Sequence, residues 1–272
     1  QRQMCIRDRR SGAWCSSLQQ QHHIGAGQRA IVVNVCNFTP PEAPGAPSYL
    51  SWDDARTLFH EFGHALHHIL SDVDWPSMSG TSVARDFVEL PSQLYEHWLE
   101  QPQVLDRHAR HAETGAPMPA DLRDRILAAR NADQGFATTE YLESALVDLA
   151  FHTGEPPADP MARQAEVLAS LGAPAAIPMR HATPHFAHVF SGDGYSAGYY
   201  SYMWSEVMDA DAFEAFLEQG DAFDPETAGK LEQWILSKGD SSPADELWLK
   251  FRERKPGVHA LLKGRGLVAD VS

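Results

Sequence analysis

The sequence predicts one mainly α-helical domain with a small β-sheet near its N-terminus. Apolar residues recur three or four apart in six stretches, residues 122–130, 138–151, 161–171, 204–219, 225–237 and 243–254, which is typical of amphipathic helices. A capping residue followed by proline marks two of the helix starts, at Asp224 and Ser242. The valine-rich residues 29–38 differ from these stretches and are typical of a strand.

The strand and the segment after it would bring a sheet edge beside a helix. Two prolines, Pro40 and Pro41, end the strand, and a loop leads to a helix that Ser51 or Asp53 would cap. If the strand has an open edge near residues 34–37, an extended peptide could add to it through backbone hydrogen bonds. A strand enclosed in a small sheet fits the sequence equally well, and both interpretations stay open.

The helix after Ser51 contains the motif His60-Glu61-Phe62-Gly63-His64. Residues four apart lie on one face of a helix, so His60 and His64 can hold one cation between their imidazoles. Glu61 lies beside that cation, where it can take a proton from a metal-bound water. Two nitrogen ligands, an adjacent carboxylate and an open coordination position are typical of a zinc peptidase.

The alternative for this motif is a surface helix with scattered histidines, because the chain has 14 of them. The flanking residues favour the metal site. An apolar series predicts that one side of the helix is buried, at Phe59, Phe62, Leu66 and Ile69. Gly63 carries a helix penalty of about 1 kcal/mol relative to alanine, which makes sense if something packs closely against its backbone. His64 and His68 are also four apart, but that pair has Ala65 in place of the glutamate.

A tight zinc site needs a third protein ligand, and Glu89 is the candidate. It lies 25 residues after His64, on the polar face of a second predicted helix. The apolar stripe of that helix comprises Phe87, Leu90, Leu94 and Trp98. Asp86, Gln93 and Glu96 share the polar face, and the first two are candidate hydrogen-bond partners for Glu89. A surface glutamate is the alternative.

A glycine-rich segment, residues 188–202, is predicted to run from a loop into a helix. Its Tyr195, Tyr199 and Tyr202 are spaced four and three apart, which predicts three phenols on one helical face. An aromatic stripe in the core is the alternative. Because three buried phenols would need several hydrogen-bond partners, we favour donors aimed at the oxyanion that forms when a peptide carbonyl is attacked. Tyr200 lies on another face and is expected to pack.

Four stretches together resemble the M3 family of zinc metallopeptidases: LFHEFGHALHHIL, SGTSVARDFVELPSQLYEHW, GFATTEYLESALVDLAFH and HVFSGDGYSAGYYSYMW. This family includes thimet oligopeptidase, oligopeptidase A and the peptidyl-dipeptidase Dcp, and the chain looks most like the Dcp branch. The resemblance implies a zincin-type, multi-helical catalytic domain over residues 11–272. Residues 1–10 resemble nothing in the family, and an artefactual leader is one interpretation of them.

The resemblance also implies roles for the metal-binding residues. One zinc ion per chain would be held by His60, His64 and Glu89. Glu61 would be the general base that takes the proton of the zinc-bound water.

The segment around the tyrosines is similar to the part of the family that binds substrate. By this resemblance, Tyr202 and His188 would stabilise the oxyanion, and Tyr195 and Tyr199 would contact the substrate backbone nearby.

The implied function is zinc-dependent hydrolysis of peptide bonds in short peptides, with release of C-terminal dipeptides. An endo-acting oligopeptidase is the alternative within the family. Full-length members are much longer, so we expect this chain to be a C-terminal part of such a protein. A third interpretation is therefore a zinc-binding fragment that is inactive because the N-terminal half of the substrate channel is missing.

Composition limits the partners and the compartment. A net charge of −15 and a sequence pI near 5.3 argue against nucleic acid and against anionic membranes as partners. No apolar run approaches the roughly 20 residues that span a bilayer. The three cysteines are an odd number without metal-binding spacing, and Cys36 lies in an apolar run, so a cytoplasmic location fits best. The sequence does not predict an oligomeric state.

Overall fold

The computed structural model describes residues 12–268, and this part of the chain contains eleven α-helices and one two-stranded sheet. The predicted mainly α-helical fold with a small sheet near the N-terminus is confirmed. Residues 1–10, interpreted above as a leader, lie outside the described residues, as does Cys5. None of the described helices is both long and apolar enough to cross a membrane.

The sheet is an antiparallel hairpin of β1 (Trp14–Gln19) and β2 (Ile31–Val35). Cys15 pairs with Asn34, and the register shifts between Ser17 and Gln19. Strand β2 lies within the predicted residues 29–38, whereas β1 was not predicted because it lacks a β-branched run. Among residues 12–268 each strand has one partner, so β2 keeps an edge that no described strand covers.

Helix α1 (Trp52–Ile69) carries the histidine motif. Ser51 caps it through a reciprocal pair of hydrogen bonds with Asp54, each 3.0 Å long. The predicted burial of its apolar stripe is wrong for Phe62 and Ile69, which are 43 and 52% exposed. The hairpin and the next long helix pack on α1 along its polar face instead, so that face holds the buried residues Glu61, Gly63, Ala65, His67 and His68.

The second predicted helix starts later than expected. Helix α2 (Leu90–Leu99) begins directly after Glu89, and the residues before it form turns. It packs on α1 and on a long helix further along the chain. The next helices are α3 (Pro102–His108), α4 (Ala120–Ala129), α5 (Gln134–His152), α6 (Pro160–Ser170) and the one-turn α7 (Ala187–Phe190).

The C-terminal part continues with α8 (Ser201–Glu218), α9 (Pro225–Leu231), α10 (Ala244–Arg252) and α11 (His259–Gly264). A π-helical turn, Glu232–Leu236, extends α9. The six helical stretches predicted from apolar spacing are confirmed as α4, α5, α6, α8, α9 and α10. Helices α3, α7 and α11 were not predicted.

The described residues form two apolar clusters. The larger one joins α2, α8, the π-helical turn and α10 around Leu90, Phe216, Ile235 and Trp248. The smaller one joins α5, α6 and α7 around Val147, Val167, Phe186 and Val189. The segment between α7 and α8 contains the predicted tyrosines and runs from the smaller cluster to the larger one.

Candidate active site

Three side chains converge where α1 meets the start of α2. His60 and His64 lie one turn apart on α1, and Glu89 directly precedes α2. One carboxylate oxygen of Glu89 lies 3.2 Å from Nε2 of His60 and 3.1 Å from Nε2 of His64. Within residues 12–268 this is the one group of His, Cys, Asp or Glu side chains arranged to hold a metal ion, with ligand atoms within 4.8 Å of one another. The three ligands predicted from the sequence are therefore brought together.

The chemistry of these three donors fits zinc. Two imidazole nitrogens and one carboxylate oxygen are a ligand set of catalytic zinc sites, in which a fourth position stays open for water or substrate. Their ligand atoms come from two elements packed against each other, so the site is built by the contact of α1 with α2 rather than by one helix alone.

Burial and hydrogen bonding shift the pKa values of His60 and Glu89. Burial acts to lower the pKa of His60, but its hydrogen bonds with Glu89 and Glu96 outweigh burial and raise that pKa to about 10. Burial acts to raise the pKa of Glu89, but the hydrogen bonds with His60 and His64 bring it well below its usual range. A cation at this site would therefore compete with a tightly held proton.

Glu96 orients one of the two histidines. Its Oε1 lies 2.6 Å from Nδ1 of His60, whereas Glu89 contacts the other ring nitrogen, Nε2. A carboxylate there keeps the proton on Nδ1 and leaves Nε2 free to bind a metal. The sequence pattern places Glu96 on the polar face of the helix but does not assign it a role.

The hydrogen-bond partners predicted for Glu89 were wrong. The hydroxyl of Ser92 donates to its carboxylate at 2.9 Å, whereas Asp86 accepts from Tyr200 at 3.1 Å. Gln93 donates to the backbone carbonyl of Tyr202, at 3.1 Å. Because α2 starts at Leu90, Asp86 lies in a turn and does not share a helical face with Glu89.

Glu61 is buried next to His60, His64 and Glu89 and faces a cleft of about 600 Å³. Its Oε2 has no hydrogen-bond partner among the described residues. Burial raises the pKa of its carboxyl group, and the charge of Glu89 adds to this, although His60 and His64 oppose it. A buried carboxylate with a free oxygen at this position is equipped to accept a proton.

The tyrosine segment is not the single helical face that its spacing predicted. Tyr195 ends a short 3₁₀ turn, and α8 begins only at Ser201, so Tyr195 and Tyr199 lie before the helix. The backbone of Ala197 lies between them in the left-handed region, with φ of 54°. This turn breaks the helical periodicity on which the prediction rested.

The same three phenols nevertheless meet around His188, which lies on α7. The ring centroid of His188 is 4.4 Å from that of Tyr195 and 5.6 Å from those of Tyr199 and Tyr202. Nε2 of His188 and the hydroxyl of Tyr202 lie 2.9 Å apart, within hydrogen-bonding distance. Burial raises the pKa of Tyr202, and the nearby charge of Glu89 adds to the effect, so this phenol stays protonated.

Arg85 is a neighbour of this group that the sequence does not predict. Its guanidinium carbon lies 4.3 Å from the centroid of the Tyr195 ring. Among the described residues it has no carboxylate partner, and its only signal in the sequence is its place four residues before Glu89.

The alternative histidine pair, His64 and His68, gains no support. His68 is within hydrogen-bonding distance of the Thr81 hydroxyl, at 3.0 Å, and belongs to no metal-binding group among residues 12–268. His67 is fully buried, and burial lowers its pKa to about 3. Both side chains lie on the packed face of α1.

Comparison with known proteins agrees with this geometry. A model of peptidase family M3 matches residues 7–267 of the chain. The dipeptidyl carboxypeptidases of Salmonella typhimurium and Escherichia coli are each 39% identical to it over 267 residues. Oligopeptidase A of Escherichia coli is also 39% identical over 267 residues.

These alignments cover 96% of this chain but only 38% of each dipeptidyl carboxypeptidase and 39% of oligopeptidase A. The chain thus spans well under half the length of the curated relatives it matches. The family match includes the histidine motif, Glu89 and the tyrosine segment, and metallopeptidases of this family depend on zinc. The chain belongs to peptidase family M3.

Proposed function

We propose that this chain is the catalytic part of a zinc metallopeptidase that hydrolyses peptide bonds in short peptides. The observation that carries the proposal is the convergence of His60 and His64 on one oxygen of Glu89, 3.2 and 3.1 Å away. The unpaired oxygen of Glu61 lies beside this group. The names of the relatives, dipeptidyl carboxypeptidase and oligopeptidase A, support a peptide substrate.

A zinc ion held by His60, His64 and Glu89 would supply Lewis-acid chemistry, polarising the peptide carbonyl and lowering the pKa of water. Glu61 is the proton carrier in this proposal. Its carboxylate accepts a proton from the attacking water and later passes it to the leaving amine. The raised pKa of Glu61 supports this role, because a base that must also return its proton works best near the operating pH.

Tyr202 and His188 are proposed to stabilise the oxyanion. Burial lowers the pKa of His188, so its ring is neutral near pH 7. In the tautomer with the proton on Nε2, His188 donates to the Tyr202 hydroxyl, which leaves the phenol proton free for the substrate oxygen. Two donors in series favour the charge that develops in the transition state.

The substrate backbone is proposed to lie along Tyr195, Tyr199 and the free edge of β2. Tyr195 is the better placed of the two phenols, because the Tyr199 ring also packs on Phe186 at 4.8 Å. Addition of the peptide to β2 as a further strand would use only backbone hydrogen bonds and would tolerate many side chains.

For the position of the cut we propose release of C-terminal dipeptides, by similarity to the dipeptidyl carboxypeptidases. Cleavage within the peptide is the second candidate, because oligopeptidase A is equally similar at 39% identity. An inactive fragment is the third, since the chain spans 38% of its relatives. The free thiols of Cys15 and Cys36 suit a reducing compartment, and we propose a cytoplasmic location.

The test combines metal content, measured by mass spectrometry, with digestion of a decapeptide whose C-terminus is either free or amidated. One zinc per chain and stepwise loss of dipeptides from the free peptide alone are the expected results. Internal cuts in both peptides would replace dipeptide release by endo cleavage. Zinc without cleavage would overturn hydrolysis by this chain and favour the inactive fragment, and a chain without zinc would overturn the metal site itself.

A further inference from the structure

The segment between α7 and α8 has a backbone that needs to be held in place. Ala197 has a φ of 54°. This left-handed conformation is energetically unfavourable for a residue that has a side chain. Gly198 is buried. Tyr199 lies in the turn that immediately precedes α8. A conformation of this kind persists only where surrounding contacts hold it.

The carboxylate of Asp148, on α5, provides two of these contacts. The side chain is fully buried. Its Oδ1 accepts a hydrogen bond from the backbone N–H of Ala197 at 3.0 Å, and its Oδ2 accepts one from the N–H of Tyr199 at 2.9 Å. The two oxygens therefore bind the amides on either side of Gly198.

The third partner of Asp148 comes from its own helix. Nδ1 of His152, one turn further on α5, lies 2.8 Å from Oδ1 of the carboxylate. The His152 ring in turn stacks on Phe190, the last residue of α7, at 5.4 Å between centroids. No arginine or lysine among the described residues pairs with this buried carboxylate, so the segment before α8 provides much of its hydrogen bonding.

A second residue of α5, two helical turns before Asp148, also binds the segment between α7 and α8. The Tyr141 hydroxyl donates to the backbone carbonyl of Tyr199 and accepts from the N–H of Met203, the latter at 3.1 Å. Met203 lies in the first turn of α8, where backbone N–H groups lack partners within the helix. Helix α5 thus binds the backbone on both sides of Tyr202.

We propose that Asp148 is a positioning residue that holds the Tyr202 hydroxyl at His188 by fixing the backbone of Ala197 and Tyr199. The inference rests on the proposed function, in which Tyr202 stabilises the oxyanion. Asp148 makes no hydrogen bond to Tyr202 or to His60, His64 and Glu89, so its hydrogen bonds act on the reaction through the tyrosine segment. Burial lowers the pKa of His188, and the charge of Asp148 opposes this as a smaller effect.

The variant that tests this is Asp148→Asn. An asparagine keeps one acceptor oxygen but presents its NH₂ group to one of the two backbone N–H groups, which removes a hydrogen bond and opposes two donors. One backbone N–H of the segment is then left without its partner, so the segment no longer holds Tyr202 in place. We therefore expect kcat to fall about 10-fold or more. Zinc content is expected to stay at the wild-type value.

The matched control is Asp211→Asn. Asp211 is also a buried carboxylate, but it lies on α8, beyond the tyrosine segment. It accepts hydrogen bonds from Arg252 at 2.7 and 2.9 Å. We expect this variant to lower stability and to leave kcat within about twofold of the wild type.

Two readouts separate positioning from a loss of stability. Amide hydrogen exchange followed by NMR should become faster at Ala197 and Tyr199 in Asp148→Asn, and stay slow at both in Asp211→Asn. In a Tyr202→Phe background, Asp148→Asn should lower kcat by less than about threefold, because the hydroxyl it positions is already gone.

Unchanged exchange at the two amides, or an equal loss of kcat in both backgrounds, would overturn the proposal. If the single variant does not fold, Ala197→Gly relieves the left-handed strain and provides a more stable chain for the same comparison. A wild-type chain that cleaves no peptide would overturn the proposed function instead, and the amide exchange would still decide whether Asp148 holds the segment.

Discussion

Pro91 lies so close to Gly63 that no side chain fits between α1 and the start of α2. A Cβ built on Gly63 would lie 2.5 Å from the carbonyl oxygen of Pro91 and 2.6 Å from Cα of Ser92. Both are backbone atoms, which cannot swing aside as the end of a side chain can. The expectation that something packs closely against the backbone at Gly63 is confirmed, and the structure shows that the partner is itself backbone. This contact brings Glu89 within reach of the two histidines of α1.

Gly63→Ala should therefore separate α1 from α2 and weaken the metal site. We expect the free energy of unfolding to fall by about 1–3 kcal/mol, as overpacking usually costs, even though alanine favours the helix itself. Zinc content after dialysis should fall with it. Chemical denaturation measures the free energy of unfolding, and mass spectrometry measures the zinc content.

The control for this prediction is Gly229→Ala on α9. A Cβ at Gly229 would meet nothing within 4 Å. That variant should gain up to about 1 kcal/mol of stability from helix propensity and keep its zinc. Equal behaviour of the two variants would contradict the close approach at Gly63.

Glu61→Gln should retain zinc and lose turnover. The amide has the shape of the carboxylate but cannot accept and return a proton, so we expect kcat to fall by about 10² to 10⁴-fold. The measurements are zinc content and hydrolysis of a decapeptide by the same preparation. A variant that retains both zinc and the wild-type rate would remove Glu61 from the role of base.

Glu96→Gln should weaken zinc binding although Glu96 is not a ligand. Its carboxylate orients His60 through the 2.6 Å contact with Nδ1, and loss of such a partner usually costs about 10- to 100-fold in metal affinity. Competition with a chelator measures the change. Glu100→Gln is the control, because Glu100 lines the same cleft but pairs with Arg130. Equal affinity in the two variants would leave the contact with His60 without a role in metal binding.

The grouping of His60 with His64 and the long helices could be predicted because their signals are local. His60 and His64 are one turn apart, and the apolar spacing of α5 or α8 repeats over several turns. Helices α3, α7 and α11 span only four to seven residues, too few for such a repeat. The exposed Phe62 illustrates another limit, since periodicity indicates that a stripe exists but not which neighbour covers it.

The tyrosine segment could not be predicted in detail because distant residues determine its backbone. The amides of Ala197 and Tyr199 bind Asp148, 49 and 51 residues earlier in the chain. Spacing alone suggested a continuous helix there, which the left-handed Ala197 interrupts. The role of Glu96 was missed for a similar reason, since its partner His60 lies 36 residues away on another helix.

Tyr202→Phe should lower kcat and leave zinc content unchanged. Removal of one oxyanion donor typically costs about 10² to 10³-fold in kcat, and the phenyl ring still fills the same space. Tyr200→Phe provides the comparison, because the Tyr200 hydroxyl donates to Asp86 and its ring is not among those that contact His188. If both variants turn over at the wild-type rate, Tyr202 has no part in stabilising the oxyanion.

A buried pair in the wall of the cleft makes stability depend on pH. His97 and Asp209 lie 2.7 Å apart, and the His97 ring stacks on Phe213. Burial acts to lower the pKa of His97, but the hydrogen bond and charge of Asp209 outweigh it and raise that pKa. Burial raises the pKa of Asp209 to about 7, although His97 opposes this. Together the two side chains hold a proton more tightly than they would in the unfolded chain.

Because both pKa values are raised on folding, the pair favours the folded state where it is protonated. The contribution of His97 is complete below the unfolded pKa of about 6.5 and is lost as the pH rises through the folded pKa. We therefore expect the free energy of unfolding of the metal-free chain to fall as the pH rises above about 6.5, and His97→Gln to reduce that fall. His23→Gln should leave it unchanged, since the contact of His23 with Asp72 is exposed and such pairs contribute little. Urea denaturation in the presence of a chelator measures the free energy of unfolding at each pH. If it falls equally in the wild type and in His97→Gln, the pH dependence belongs to other groups.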